Sequence, residues 1–268
     1  MTHLDRTGDR PLWANVRSIS FDDLRDALKA GWSDFMAEPQ FGLLFSAIYV
    51  IGGIGLVAFV MVLHLPWLAY PLVIGFALIG PFVATGLYEV SRRREASQPV
   101  IWSQVLGVIW YQRRRELGWM AFVMLFVFWV WMYQVRTLVA VFFGSQGFAT
   151  LAGFLTAVFT TANGWTFLIV GHLVGAVIAM VLYSLTVVSC PLLLERNVDF
   201  VTAMITSIKA VIKSPVAMVL WGLIVIASVV VAAIPAFLGL FIVLPVFGHA
   251  TWHLYRRALP PPGPAAGE

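Results

Sequence analysis

Three stretches of this chain are too long to cross a lipid bilayer once and carry too little charge to sit in water. Residues 39–88 contain no Asp, Glu, Lys or Arg over fifty positions. As one straight helix they would extend roughly 75 Å, against a hydrocarbon core of roughly 30 Å. The stretch must reverse once. His64-Leu65-Pro66 supplies the break, because proline lacks an amide donor and disfavours helix at the residue before it. The spacing predicts spans over 41–63 and 67–88. Residues 117–194 carry one formal charge, Arg136, and divide into spans over 118–135 and 165–194. Trp129, Trp131 and Tyr133 are placed as an aromatic belt at the far end of the third span, with Arg136 reaching outward beyond it. Residues 215–255 are again uncharged. Pro235 is the natural reversal point between spans over 216–234 and 236–255.

Composition agrees. Hydrophobic residues make up 60% of the 268 and charged residues 11%, where soluble domains average about 45–50% and about 25%. Too few charges remain to cover a water-facing surface. The expected fold class is therefore an all-α membrane protein of six transmembrane helices in three hairpins. The lipid bilayer is its first partner.

The basic residues set the topology. Sixteen of the seventeen Lys and Arg fall before span one, between spans two and three, between spans four and five, or after span six; Arg136 is the exception. The positive-inside rule makes the rich side cytoplasmic. The expected location is the bacterial inner membrane, with both termini in the cytoplasm. Residues 1–19 and 258–268 read as cytoplasmic tails around one membrane domain over 20–257, the second of them Pro/Gly/Ala-rich and expected to be disordered. Seven acidic residues in the first forty leave no place for a cleavable signal peptide. A net charge of +4, spent on membrane flanks, gives no reason to expect nucleic acid.

A unit recurs. Ser20 with Asp23 forms the start of a helix, in which Phe21, Leu24, Leu28, Trp32 and Phe35 return at helical spacing. It reads as an amphipathic interfacial helix before span one. Asp199 caps a second such helix before span five, with Phe200, Met204, Ile208, Val211 and Ile212 as its stripe. Pro99 opens a third, running to Gln112 before span three. Each hairpin's second span carries a proline, Pro81, Pro191 or Pro245. The expected architecture is three hairpins, each preceded by an interfacial helix, in a pseudo-threefold repeat.

Aligning the units on those prolines predicts a site. Four residues on stand Thr85, Glu195 and His249; eight on stand Glu89, Asp199 and His253. Offsets of four and eight share a helical face. Symmetric packing would gather Glu89, Glu195, Asp199, His249 and His253 at the cytoplasmic mouth, and His249 and His253 are spaced to share a metal. The plainer reading is a hydrogen-bonded network at the helix ends. His64 and His172 fall toward the outer interface, where each is expected to stand alone rather than pair on a cofactor. Gly171, Gly175 and Ala179 form a small-residue stripe for close helix packing, within the chain or in a dimer, and Gly52, Gly53 and Gly55 allow the same. Arg92, Arg93, Arg94, Arg113, Arg114 and Arg115 fix topology and suit anionic lipid head groups. Cys190 lies alone in an apolar run and reads as a small core residue.

No nucleotide-binding, hydrolase or metalloprotease motif occurs, so neither an enzyme nor a cofactor is expected. The stretches Pro191-Leu-Leu-Leu-Glu195-Arg-Asn-Val-Asp199, Gly80-Pro81 through Gly86-Leu-Tyr88-Glu89, Ser91-Arg92-Arg93-Arg94-Glu95, Ala27-Leu28-Lys29-Ala30-Gly31-Trp32-Ser33-Asp34-Phe35 and Gly248-His249-Ala-Thr-Trp252-His253 resemble the bacterial domain-of-unknown-function family 2189. The resemblance runs from about Arg17 to Arg257. It implies a multi-pass membrane protein without an established function. Some members of that family carry a cytochrome c oxidase subunit label. A catalytic haem–copper subunit needs far more membrane-embedded histidines than this chain has. The expectation is a non-enzymatic accessory, scaffold or assembly factor that contacts other inner-membrane proteins or copies of itself. A transporter or channel for a small or lipid-like solute is the alternative.

Overall fold

A computed structural model describes residues 15–62, 80–112, 116–144, 148 and 151–261. Among them all regular structure is helical: α1 Phe21–Ala37, α2 Pro39–Val62, α3 Gly80–Glu95, α4 Trp102–Gln112, α5 Glu116–Phe143, α6 Leu151–Thr160, α7 Ala162–Thr186, α8 Ser189–Glu195, α9 Phe200–Lys213, α10 Pro215–Ala233 and α11 Leu240–Ala258. Four stretches among the described residues are long and apolar enough to cross a membrane: Pro39–Phe59, Glu116–Phe143, Ala162–Glu195 and Pro215–Ala233. The break at His64-Leu65-Pro66, span two up to residue 79, Arg113–Arg115, residues 1–14 and the tail from 262 onward lie outside the described residues.

The chain divides into two compact units. The first comprises residues 1–54, 79–120 and 184–268. In it α3, α8 and α11, the helices that carry the aligned prolines, pack against one another. Each also holds a helix of the expected interfacial set: α3 holds α4, α8 holds α9, and α11 holds α1. Small residues permit this closeness. A Cβ on Gly31 of α1 would lie 2.6 Å from Ala250 N and from Val246 O of α11. The Phe45 ring of α2 rests on Gly86 of α3, and Leu87 of α3 rests on Gly248 of α11. Phe41, Phe45, Leu87, Val90 and Val105 form one apolar core, and Val50, Ala232 and Leu240 another.

The ends of the surface helices follow the sequence signals. Ser20 and Asp23 form a full capping box on α1. Asp199 accepts from Thr202 N at 2.8 Å, and Glu116 Oε2 accepts from Phe200 N at 3.0 Å. Two carboxylates thus meet the positive end of α9.

The buried face of α9 shares only Val211 with the expected stripe, in keeping with an interfacial helix whose apolar stripe turns to lipid. It consists of Ala203, Thr206, Ser207, Ala210 and Val211, while Val201 and Ile212 are exposed. Small and hydroxyl-bearing residues face protein, and larger aliphatic ones face outward. Such an inversion suits a lipid surface, where apolar side chains lose nothing by exposure. On α1, Leu24 and Phe35 are buried, but Phe21 and Trp32 stand exposed.

Three span boundaries move. The span expected over 165–194 is broken at Val187–Val188 between α7 and α8. Pro191 cannot bond the carbonyl of Val187, and its ring crowds that carbonyl. Ser207 of α9 accepts the Val188 amide at 3.1 Å. The helix expected to span 236–255 begins at Leu240 rather than 236, because Ala236 and Phe237 adopt positive φ, 51° and 66°, in the turn after α10, and it is not among the four membrane-length apolar stretches. The third runs past Val135 to Phe143, so the aromatic residues and Arg136 lie within α5 rather than at its end. From Glu116 to Arg136 is about 30 Å of helix, one hydrocarbon thickness between charged residues.

The second unit comprises residues 55–78 and 121–183. The stretch 144–164, expected as an interfacial helix or a re-entrant turn, contains α6. Phe143, Phe148, Phe154 and Phe167 cluster edge-to-face around it, with ring centroids 5.1–6.2 Å apart. The Trp131 ring of α5 packs on Gly175 of α7, where a Cβ would come within 2.8 Å.

Candidate functional site

Glycine at position 31 lets the backbones of α1 and α11 nearly touch, and the next turn of α1 brings Asp34 to the same interface. Asp34 is buried. Its Oδ2 lies 2.8 Å from His253 Nε2 and its Oδ1 accepts from Arg94 Nε at 2.8 Å. Ser91 also donates to it. Burial works to raise its pKa, but the bonds from His253, Ser91 and Arg94 outweigh that and hold it down at about 2.

Ser91 Oγ lies 2.8 Å from His249 Nδ1. A hydroxyl has one proton to give. Which of the two donates in the Ser91–His249 contact follows the imidazole tautomer. His249 is fully buried, and its Nε2 has no hydrogen-bond partner among the described residues. A polar chain therefore runs His249–Ser91–Asp34–His253, with Arg94 beside it.

A second group surrounds Glu89 on α3, which is fully buried. It accepts from Arg92 Nε and Nη2 at 2.7 and 2.8 Å and from Arg93 Nε at 2.6 Å. Arg93 Nη1 reaches on to Pro99 O and to Gln104 Oε1 of α4. A third group centres on Arg256. Its Nε donates to Glu95 at 2.8 Å, its Nη1 pairs with Glu195, and its guanidinium lies 4.9 Å from the centroid of the Trp252 ring. Trp252 Nε1 donates to Glu95 at 3.0 Å, and Tyr255 donates to Glu195.

The expected cluster is thus brought into one unit but not to one point. Glu89, Glu195, His249 and His253 stand on the three mutually packed helices, each with its own partners. Asp199 caps α9 instead, and Thr85 is buried on α3. Among the described residues no group of three or more His, Cys, Asp or Glu is placed to hold a metal ion. His253 Nε2 is engaged by Asp34.

Sequence alignment on the prolines missed Asp34, Ser91, Glu95, Tyr255 and Arg256. One signal was legible: Asp34 falls on the helical face of Gly31 and Phe35, where a carboxylate must find cations.

Elsewhere, His172 Nδ1 lies 2.7 Å from Leu168 O of its own helix, and His64 lies outside the described residues. Gly175 serves packing within the chain, whereas Ala179 is exposed. Gly53 receives the Phe237 ring, and open space surrounds Gly55. Cys190 is buried.

Residues 69–195 match the model of a family described as predicted integral membrane protein (DUF2189). The match covers α3 to α8 and stops short of the Gly-His-Ala-Thr-Trp-His stretch of α11. No curated protein and no solved structure matches the chain.

Proposed function

We infer, from the premise that residues 69–195 are those of an integral membrane protein family, that the chain is a six-span, non-enzymatic accessory or assembly factor for other membrane proteins. One observation carries this reading. The most apolar stretch of α5 is only 6% buried within the chain, and its exposed Phe122, Phe126, Trp129 and Tyr133 follow one another at steps of four, three and four. That is the spacing by which one helix packs along another. The polar groups, meanwhile, are consumed in ion pairs that hold helices together.

The cyclic pairing of α4 on α3, α9 on α8 and α1 on α11 supports the threefold repeat. The six-span topology draws support from ion pairs across the chain. Arg94 meets Asp34, Arg257 meets Asp23 and Asp26, and Arg256 meets Glu95. Segments before span one, between spans two and three, and after span six thus share one membrane face. The basic bias makes that face cytoplasmic, in a bacterial inner membrane.

The test is photo-crosslinking in intact membranes from positions 126 and 133, followed by purification in mild detergent. A defined product with a different membrane protein, lost when the probe moves to buried position 124, supports the reading. Crosslinks to lipid or to a second copy alone would sink it. A transporter would instead show solute-dependent crosslinking, at positions inside the bundle.

A further inference from the structure

Beside the Glu89 group lies a cavity of about 360 Å³, bounded by α3, α4 and α8. Its ends differ in chemistry. One is made by Glu89, Arg92, Arg93 and Gln104; the other by Val108, Tyr111 and Leu194. Two guanidiniums meet one carboxylate in the lining, and the Glu195 carboxylate also acts on Arg92 from nearby. Among the described residues, Arg92 Nη1 and Arg93 Nη2 make no hydrogen bond. Glu89 holds both planes fixed by three bonds, so little side-chain freedom is lost when an oxyanion arrives.

Away from the cavity, Leu106 of α4 is exposed, as is Ile101 just before the helix, and the partly exposed Trp102 at its start packs its ring on that of Phe41, with centroids 4.0 Å apart. A helix with that surface, clamped by Arg93, belongs in the lipid interface. The cavity beneath it is then reached from the bilayer as well as from water.

We propose that this cavity binds an anionic phospholipid, with the phosphate on Arg92 and Arg93 and the glycerol and upper acyl carbons along Val108, Tyr111 and Leu194. The volume is within the range of small-ligand sites and takes the headgroup region rather than a whole lipid. Arg94 is excluded, because its guanidinium is committed to Asp34. The recognised chemistry is a phosphate oxyanion. The apolar end and the lipid-facing α4 assign it to a phospholipid rather than to free phosphate.

Gly107 gives a clean test. It lines the cavity, and a Cβ there meets nothing within 4 Å. A larger side chain there enters the space and leaves every residue of the ion pairs unchanged. The full chain, purified in dodecyl maltoside, would be followed by thermal unfolding and native mass spectrometry with phosphatidylglycerol, phosphatidylcholine or sodium phosphate. Phosphatidylglycerol alone is expected to raise Tm and persist as an adduct. Gly107→Leu is expected to weaken that binding by about tenfold or more without lowering Tm in detergent alone. Arg92→Gln with Arg93→Gln is expected to abolish it. Equal responses to the two lipids, an unchanged response in Gly107→Leu, or the same stabilisation by sodium phosphate would each overturn the proposal.

Discussion

His253 Nε2 lies 2.8 Å from Asp34 Oδ2, a contact between residues 219 positions apart. It ties the last described helix to the first. Asp34 is held ionised there by His253, Ser91 and Arg94 against the cost of burial, with a pKa of about 2 instead of its ordinary 3.8. A lowered pKa means stability that is present above the unfolded value and lost as pH falls through the folded one. Asp34→Asn should therefore destabilise the protein at pH 6 by on the order of 1 kcal/mol, after allowance for solvent screening. The gap between variant and wild type should close between about pH 4 and pH 2. Thermal unfolding in detergent at a series of pH values reads this. A gap that is constant down to pH 2 would show that the carboxylate charge is not what matters.

Gly31→Ala and Gly107→Ala should move stability in opposite directions. The first places a methyl group 2.6 Å from two backbone atoms of α11, which cannot rotate away, so α1 must lift off. A loss of about 1–3 kcal/mol is expected. The second adds a better helix former in open space and should gain up to about 1 kcal/mol. Parallel unfolding curves check both.

Glu89→Gln should cost about 3 kcal/mol, the lower end for removing one partner of a buried ion pair, because Arg92 is 30% exposed and can turn to water. Without the carboxylate, α4 also loses its anchored clamp. Faster amide hydrogen exchange over 102–112, with little change in α10, is the local signature to seek. Uniformly faster exchange would argue that Glu89 holds the whole unit instead.

Ser20→Ala removes one half of a capping box and should destabilise α1 by about 1 kcal/mol. Asp23 contributes to the same box. Its slight burial works against ionisation, but the Ser20 amide and hydroxyl and nearby Arg257 hold its pKa below the ordinary value. The loss in Ser20→Ala should therefore be larger at pH 7 than at pH 3. Hydrogen exchange in the first turn of α1 measures it.

Much of this was legible because lipid and helix geometry are strict. Uncharged length forces spans, and Ser20 and Asp199 announce helix starts that the described residues contain. The prolines at 81, 191 and 245 pick out three helices that do pack together. What the sequence could not convey was pairing. Nothing in the spacing of Arg92, Arg93 and Arg94 says that two turn to Glu89 while the third reaches Asp34. On α9 the stripe itself was legible, and only Val211 of it is buried. An amphipathic pattern identifies two faces, but beside a membrane the apolar one need not be the one facing protein. The late start of α11 depended on two non-glycine residues at positive φ, which no turn residue advertises.

The docking of α1 on α11 also has a consequence in time. A ribosome delivers α1 well before α11, so α1 must wait for the helix against which it docks. A nascent chain halted before that point presents Asp34 without its histidine and Gly31 without its neighbour. Such a fragment carries an open seam that quality-control proteases can recognise. Closure of that seam waits, for this protein, on the synthesis of α11.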